Sequence, residues 1–116
     1  MSRHDAVAIA REYYRAIDKD DYETLADLLA EGFVHERPDR TIEGDERFVA
    51  FMRDERPVTN TEHVLEDVYV SGGGDVAAEG RLLEADGTEW FRYVDVFGID
   101  GGTIAEIRTY TDEHPA

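Results

Sequence analysis

The sequence contains no cysteine. A disulfide framework, a thiolate nucleophile and a thiolate metal site are therefore excluded. A reducing cytoplasm suits such a chain and is the expected location. No apolar run approaches the roughly 20 residues that cross a bilayer. The opening MSRHDAVAIA lacks the apolar stretch behind basic residues that marks a signal peptide. Lysine is almost missing as well: Lys19 stands alone beside 11 arginines. Gly72-Gly73-Gly74 has neither the lysine nor the following helix of a phosphate loop. No serine sits in a nucleophile-elbow pattern. His4, His35, His63 and His114 are the only imidazoles, and no two are four residues apart. With no thiol to help, the sequence offers no metal site, and no cofactor is expected.

What the chain has in excess is acid. Its 28 Asp and Glu outnumber 12 basic residues, a formal net charge of −16 over 116 residues. A surface of that sign repels phosphate backbones and anionic lipid, so neither nucleic acid nor membrane is an expected partner. Acid excess with almost no lysine resembles proteins from salt-loving microbes, in which concentrated salt screens self-repulsion.

The length suits one domain spanning residues 1–116, and no repeat or linker divides it. Ser2 followed by Asp5 marks a helix start, and Ala6, Ile9, Ala10, Tyr13 and Ile17 lay one apolar stripe behind it. Asp20 with Glu23 opens a second helix, striped by Leu25, Leu28 and Leu29 and stopped at Gly32. Phe33 to Glu36 reads as a short strand, and Pro38 and Gly44 bracket a loop. Asp45 caps a third helix carrying Phe48, Val49, Phe51 and Met52, which Pro57 ends. From Thr59 the period changes to two. His63–Ser71, Val76–Glu84, Glu89–Ile99 and Thr103–Tyr110 are predicted strands, separated by Gly72-Gly73-Gly74-Asp75, Asp86-Gly87 and Asp100-Gly101-Gly102. Helices first and a meander afterwards is an α+β order. A curved, mostly antiparallel sheet wrapped by three N-terminal helices leaves a hollow where the strands curl away.

The strand Glu89–Ile99 is apolar on both faces. Phe91, Tyr93, Asp95, Phe97 and Ile99 share one side; Trp90, Arg92, Val94 and Val96 share the other. Antiparallel sheets usually keep one face wet. Two dry faces point to helices on one and a second copy on the other, a homodimer through Trp90, Val94 and Val96. Asp95 is the single carboxylate among aromatics. Burial there raises its pKa unless a partner such as Arg81 or Arg108 is near, and such groups favour functional sites.

DAVAIAREYYRAIDKDDYETLADLLAEGFV, then Gly44, then DVFGIDGGTIAEIRTYTD resembles the nuclear transport factor 2-like superfamily, particularly its SnoaL-like polyketide cyclase and ketosteroid isomerase branches. The resemblance covers nearly the whole chain and implies a cone-shaped α+β roll of the cystatin-like kind. It matches the isomerase branch's oxyanion-hole tyrosine to Tyr13, its general base to Glu36 and its protonated aspartate to Asp95. A one-residue shift presents His35 to the hollow in place of Glu36. The implied ligand is a small apolar or polycyclic molecule against His35, Phe51, Met52, Phe91, Tyr93, Phe97, Ile107 and Thr109. The epoxide-hydrolase branch needs an acid where Thr109 follows Arg108. The implied activity is cofactor-free isomerisation or aldol-type cyclisation; the alternative is a binding or dimerisation module without turnover.

Overall fold

The computed structural model describes residues 3–56 and 60–112. The helix start at Ser2, the stop at Pro57, the change of period at Thr59 and His114 lie outside the described residues. The described residues form three helices: α1 (Arg3–Asp18) and α2 (Tyr22–Leu28) open the chain, and α3 (Asp45–Ala50) follows the first two strands and continues into a wider-wound turn, Phe51–Glu55. Six strands make one open sheet: β1 (Leu29–Glu36), β2 (Thr41–Glu43), β3 (Glu62–Val70), β4 (Val76–Leu83), β5 (Glu89–Asp100) and β6 (Thr103–Thr111). Their order is β2-β1-β6-β5-β4-β3, antiparallel throughout except that β1 runs parallel to β6. The fold is the expected α+β cone.

The α1 stripe buries Ala6, Ala10, Tyr13, Tyr14 and Ile17 and packs on β3 and β4, while α3 packs on β1 and β2. Phe33, Phe48, Phe51, Phe97, Ile104 and Ile107 are fully enclosed between the layers. Each large apolar side chain removed from water contributes about 1.5–3 kcal/mol. No helix of the described residues is long and apolar enough to cross a membrane.

Local chemistry moves several boundaries. The cap of α2 is Asp21, not Asp20: its carboxylate accepts from the Thr24 amide at 3.2 Å and from the Thr24 hydroxyl at 2.8 Å. Asp20 takes a left-handed φ of 55° and pairs with Arg56 at 3.1 Å. Leu29 begins β1 instead of closing α2. Gly32 stops no helix; with φ at 80° it lies where the register of β1 on β6 shifts between Leu29 and Val34. Asp45 sits inside the first turn of α3, behind Gly44 at the cap, so it favours the helix dipole instead of capping it. Part of the segment expected as a loop forms β2, pairing His35 with Ile42.

A bulge in β5 changes the cavity wall. Leu82 pairs with Phe91 and Leu83 with Glu89, which leaves Trp90 as an extra residue. The extra residue re-aims its side chain. Trp90 therefore lines the hollow under the helices with Phe91 and leaves the outer face, where Val94 and Val96 remain. The outer neighbours of Val94 are Glu79 and Tyr110, and those of Val96 are Ala77 and Arg108. Tyr69 and Tyr110 are more than half exposed.

Candidate functional site

Strand alternation fixes the floor of the site. Asp95 on β5 stands directly opposite Thr109 on β6, and both side chains face the helices. His35 on β1 pairs with Ile107 and enters from the same side. Tyr14, one turn from the end of α1, reaches down from above. These residues form one chain of hydrogen bonds. The Tyr14 hydroxyl donates to Asp95 Oδ2 at 2.5 Å, and the Thr109 hydroxyl donates to Asp95 Oδ1 at 2.5 Å. His35 Nε2 meets Thr109 Oγ1 at 2.7 Å.

A hydroxyl has one proton, so the direction of these bonds fixes a tautomer. While Thr109 gives its proton to an ionised Asp95, His35 must donate through Nε2, and Nδ1 is left bare. That nitrogen is buried without a hydrogen-bond partner among the described residues. Protonating Asp95 on Oδ1 reverses the chain: Asp95 donates to Thr109, Thr109 donates to His35 Nε2, and the ring proton moves to Nδ1. The imidazole tautomer thus records the charge of the carboxylate on the far side of the Thr109 hydroxyl.

Asp95 is only 6 % exposed. Burial pushes its pKa above the usual carboxylate range, outweighing the donors Thr109 and Tyr14 and the pull of His63 and Arg37. Neither Arg81 nor Arg108 reaches it; they sit near Glu66 and Glu89, and Glu106 respectively. Burial and then Arg37 hold the His35 pKa down at about 3, so the ring is neutral. Burial and the neighbouring Asp95 raise both Tyr13 and Tyr14 well above the ordinary phenol. The Tyr93 phenol moves the same way, for the same two reasons in the same order.

These groups open on a cavity of about 120 Å³. Tyr13, His35, Met52, Phe91, Tyr93, Asp95 and Thr109 line it, as does Trp90. Phe97 and Ile107 do not; both are fully buried in the core beneath. Phe51 is also core, its ring covered by the guanidinium groups of Arg37 and Arg40, each 5.1 Å from the centroid. Glu36 is exposed, on the opposite side of β1 from His35, beside Arg108 and Tyr110 in a shallow outer hollow. The alternation of β1 sends only one of the two neighbours inward, and it is His35. Tyr13 reaches the cavity wall, but the tyrosine hydrogen-bonded to Asp95 is Tyr14.

The sequence reading missed Tyr14 as the partner of Asp95 and passed over His63. His63 Nδ1 lies 2.7 Å from Asp18 Oδ1, and its backbone amide donates to Asp18 Oδ2 at 2.9 Å. A dry stripe wide enough to bury both Tyr13 and Tyr14 was the available signal for the first. Nothing in the sequence links Asp18 to a strand 45 residues away. Among the described residues no group of three His, Asp or Glu side chains is placed to hold a metal ion.

Set against known proteins, residues 10–107 match the model of the SnoaL-like domain. The chain belongs to that family. Among solved structures, this SnoaL-like chain is similar to a provisionally named ketosteroid isomerase from Kribbella flavida DSM 17836, at 22 % identity and a TM-score of 0.82, covering 97 % of this chain and 82 % of that one. A provisionally named SnoaL-like polyketide cyclase from Jannaschia Sp. CCS1 has a TM-score of 0.78 at 21 % identity, covering 94 % and 86 %. An LEH-like epoxide hydrolase from M. tuberculosis has a TM-score of 0.80 at 22 % identity, covering 94 % and 84 %. At these identities the likeness speaks for the fold alone. No curated protein matches the sequence significantly.

Proposed function

We propose that this SnoaL-like protein binds a small apolar molecule in its cavity and moves a proton on it without a cofactor, with Asp95 as the acid–base group. The observation that carries this is a carboxylate held in an apolar hollow by two hydroxyls and, among the described residues, hydrogen-bonded to no guanidinium. A cavity of about 120 Å³ is near the size of an apolar cavity of roughly 150 Å³ that accepts benzene. A single-ring substrate therefore fits better than a polycyclic one. Kribbella and Jannaschia neighbours named for isomerase and cyclase chemistry agree with a proton-transfer site.

The proposed step is a shift of a double bond beside a carbonyl. Burial favours the neutral form of Asp95, and in that form the carboxyl would donate to a developing enolate oxygen, worth on the order of 10²–10³ in rate for one such donor. The test is conversion of 3-cyclohexen-1-one to its conjugated isomer, followed by ultraviolet absorbance. Asp95→Asn keeps the shape and cannot exchange a proton in this way. It is expected to lose at least about 100-fold in rate with its thermal midpoint near that of the parent. Full activity in the variant rejects the role of Asp95.

The second reading is a binding module without turnover. It is favoured by the fact that both Asp95 oxygens already have donors. Saturable binding of the enone with no conversion by the parent protein selects it. The proposal also includes a homodimer through the outer face that carries Val94 and Val96.

A further inference from the structure

We infer that His63 is the proton acceptor of the cavity and that Asp18 is its positioning residue. This rests on the proton-transfer reading above and supplies the base it lacks, since Glu36 stands outside. Among the described residues, three side chains on the cavity wall carry a carboxyl or an imidazole: Asp95, His35 and His63. Asp95 is the neutral donor to the substrate oxygen in that reading, so it does not also take the α proton. His35 spends Nε2 on Thr109 and stays neutral down to about pH 3, which makes it a poor base. His63 remains.

Asp18, the last residue of α1, grips His63 at two points, the ring Nδ1 and the backbone amide of the same residue. Two contacts on one carboxylate leave the ring little freedom to rotate. With Asp18 ionised, Nδ1 carries the proton and donates it, which leaves Nε2 bare on a ring that lines the cavity. The ring is further fixed by Tyr14, 4.9 Å between centroids, and by Tyr93 at 5.5 Å and 80°. Tyr14 thus touches the imidazole with its tilted ring and Asp95 with its hydroxyl, tying the two groups to one frame. The charged and titratable groups facing His63 are Asp18 and Tyr14 on α1, Tyr93 and Asp95 on β5, and Arg37 and Arg56 across the cavity.

The step balances without any further reagent. An α C–H bond of the bound enone breaks and its proton passes to His63 Nε2. The electron pair moves into the carbonyl, giving a dienolate whose oxygen accepts a hydrogen bond from neutral Asp95. The imidazolium then returns the proton to the γ carbon, and the ring is neutral again.

The experiment uses 3-cyclohexen-1-one with the full chain and its His63→Gln, Asp18→Asn and Asp95→Asn variants, together with ¹⁵N spectra of the imidazoles. His63→Gln is expected to lose at least about 100-fold, and Asp18→Asn on the order of tenfold or more. His63→Ala should regain rate on adding free imidazole, which a purely structural loss would not do. In the parent, the His63 spectrum should show the proton on Nδ1, and Asp18→Asn should shift it toward Nε2. If His63→Gln keeps the parent rate while Asp95→Asn does not, this inference fails and the role of Asp95 stands. A parent rate equal to that of buffer overturns both. A parent spectrum with the proton on Nε2 overturns the assignment of His63, whatever the variants do.

Discussion

At Thr109 one hydroxyl serves two buried neighbours, donating to Asp95 and accepting from His35. Thr109→Val keeps the branched shape and removes both bonds at once. An unsatisfied buried polar group costs about 1–3 kcal/mol, so the variant should lose roughly that much in urea unfolding. With one donor gone, the Asp95 pKa should rise further, which a ¹³C carboxyl titration would follow. His35 makes a separate prediction. Its folded pKa is depressed, to about 3 from 6.5, so the unfolded chain binds the extra proton between those values. Stability from this residue is complete above pH 6.5 and drains away as the pH falls toward 3, by about 2 kcal/mol at pH 5. His35→Gln should flatten that part of the stability profile. Asp95 works the other way, since its raised pKa makes the folded state gain as it protonates. The burial of Asp95 was legible because it is a polar residue on an apolar strand face. Whether His35 or Glu36 turned inward was not, because the period of two carries no phase until a neighbouring strand supplies it.

Elements were easier to read than their joins. Every predicted strand and helix exists, because apolar spacing and Gly-Asp turns are local signals. The parallel pairing of β1 with β6 and the short β2 were invisible, since both depend on residues far apart in the chain. The bulge at Trp90 has no local signature either, yet it changes which face of β5 that side chain serves. Glycines inside the sheet allow a graded test of packing between strands. A Cβ at Gly80 would lie 2.3 Å from the Val64 carbonyl oxygen and 2.8 Å from the Tyr93 hydroxyl. A backbone oxygen cannot swing aside, so Gly80→Ala should cost more than about 2 kcal/mol or prevent folding. At Gly98 the obstacle is the Glu106 side chain, whose Cγ is 2.9 Å away. That side chain can rotate, and Gly98→Ala should cost less than Gly80→Ala in the same urea titration.

For the molecule as a whole, charge and shape pull in opposite directions. A net −16 makes two copies repel, while the outer face offers Val94, Val96 and two exposed tyrosines for contact. Salt reduces the repulsion within a Debye length of about 10 Å at 0.1 M. The proposed dimer should therefore tighten as salt rises, and Val96→Asp should leave it monomeric by light scattering at the same salt. An unsubstituted chain that stays monomeric in concentrated salt rejects the dimer. Composition made the acid excess plain, but it could not say how acids and apolar residues share the surface.

Because the chain holds one tryptophan and the bulge swings it onto the cavity wall, the protein carries its own optical gauge. Any guest that displaces solvent beside that indole should alter its emission, without a label and before any substrate is known. A library of single-ring ketones and phenols can be ranked by that glow alone.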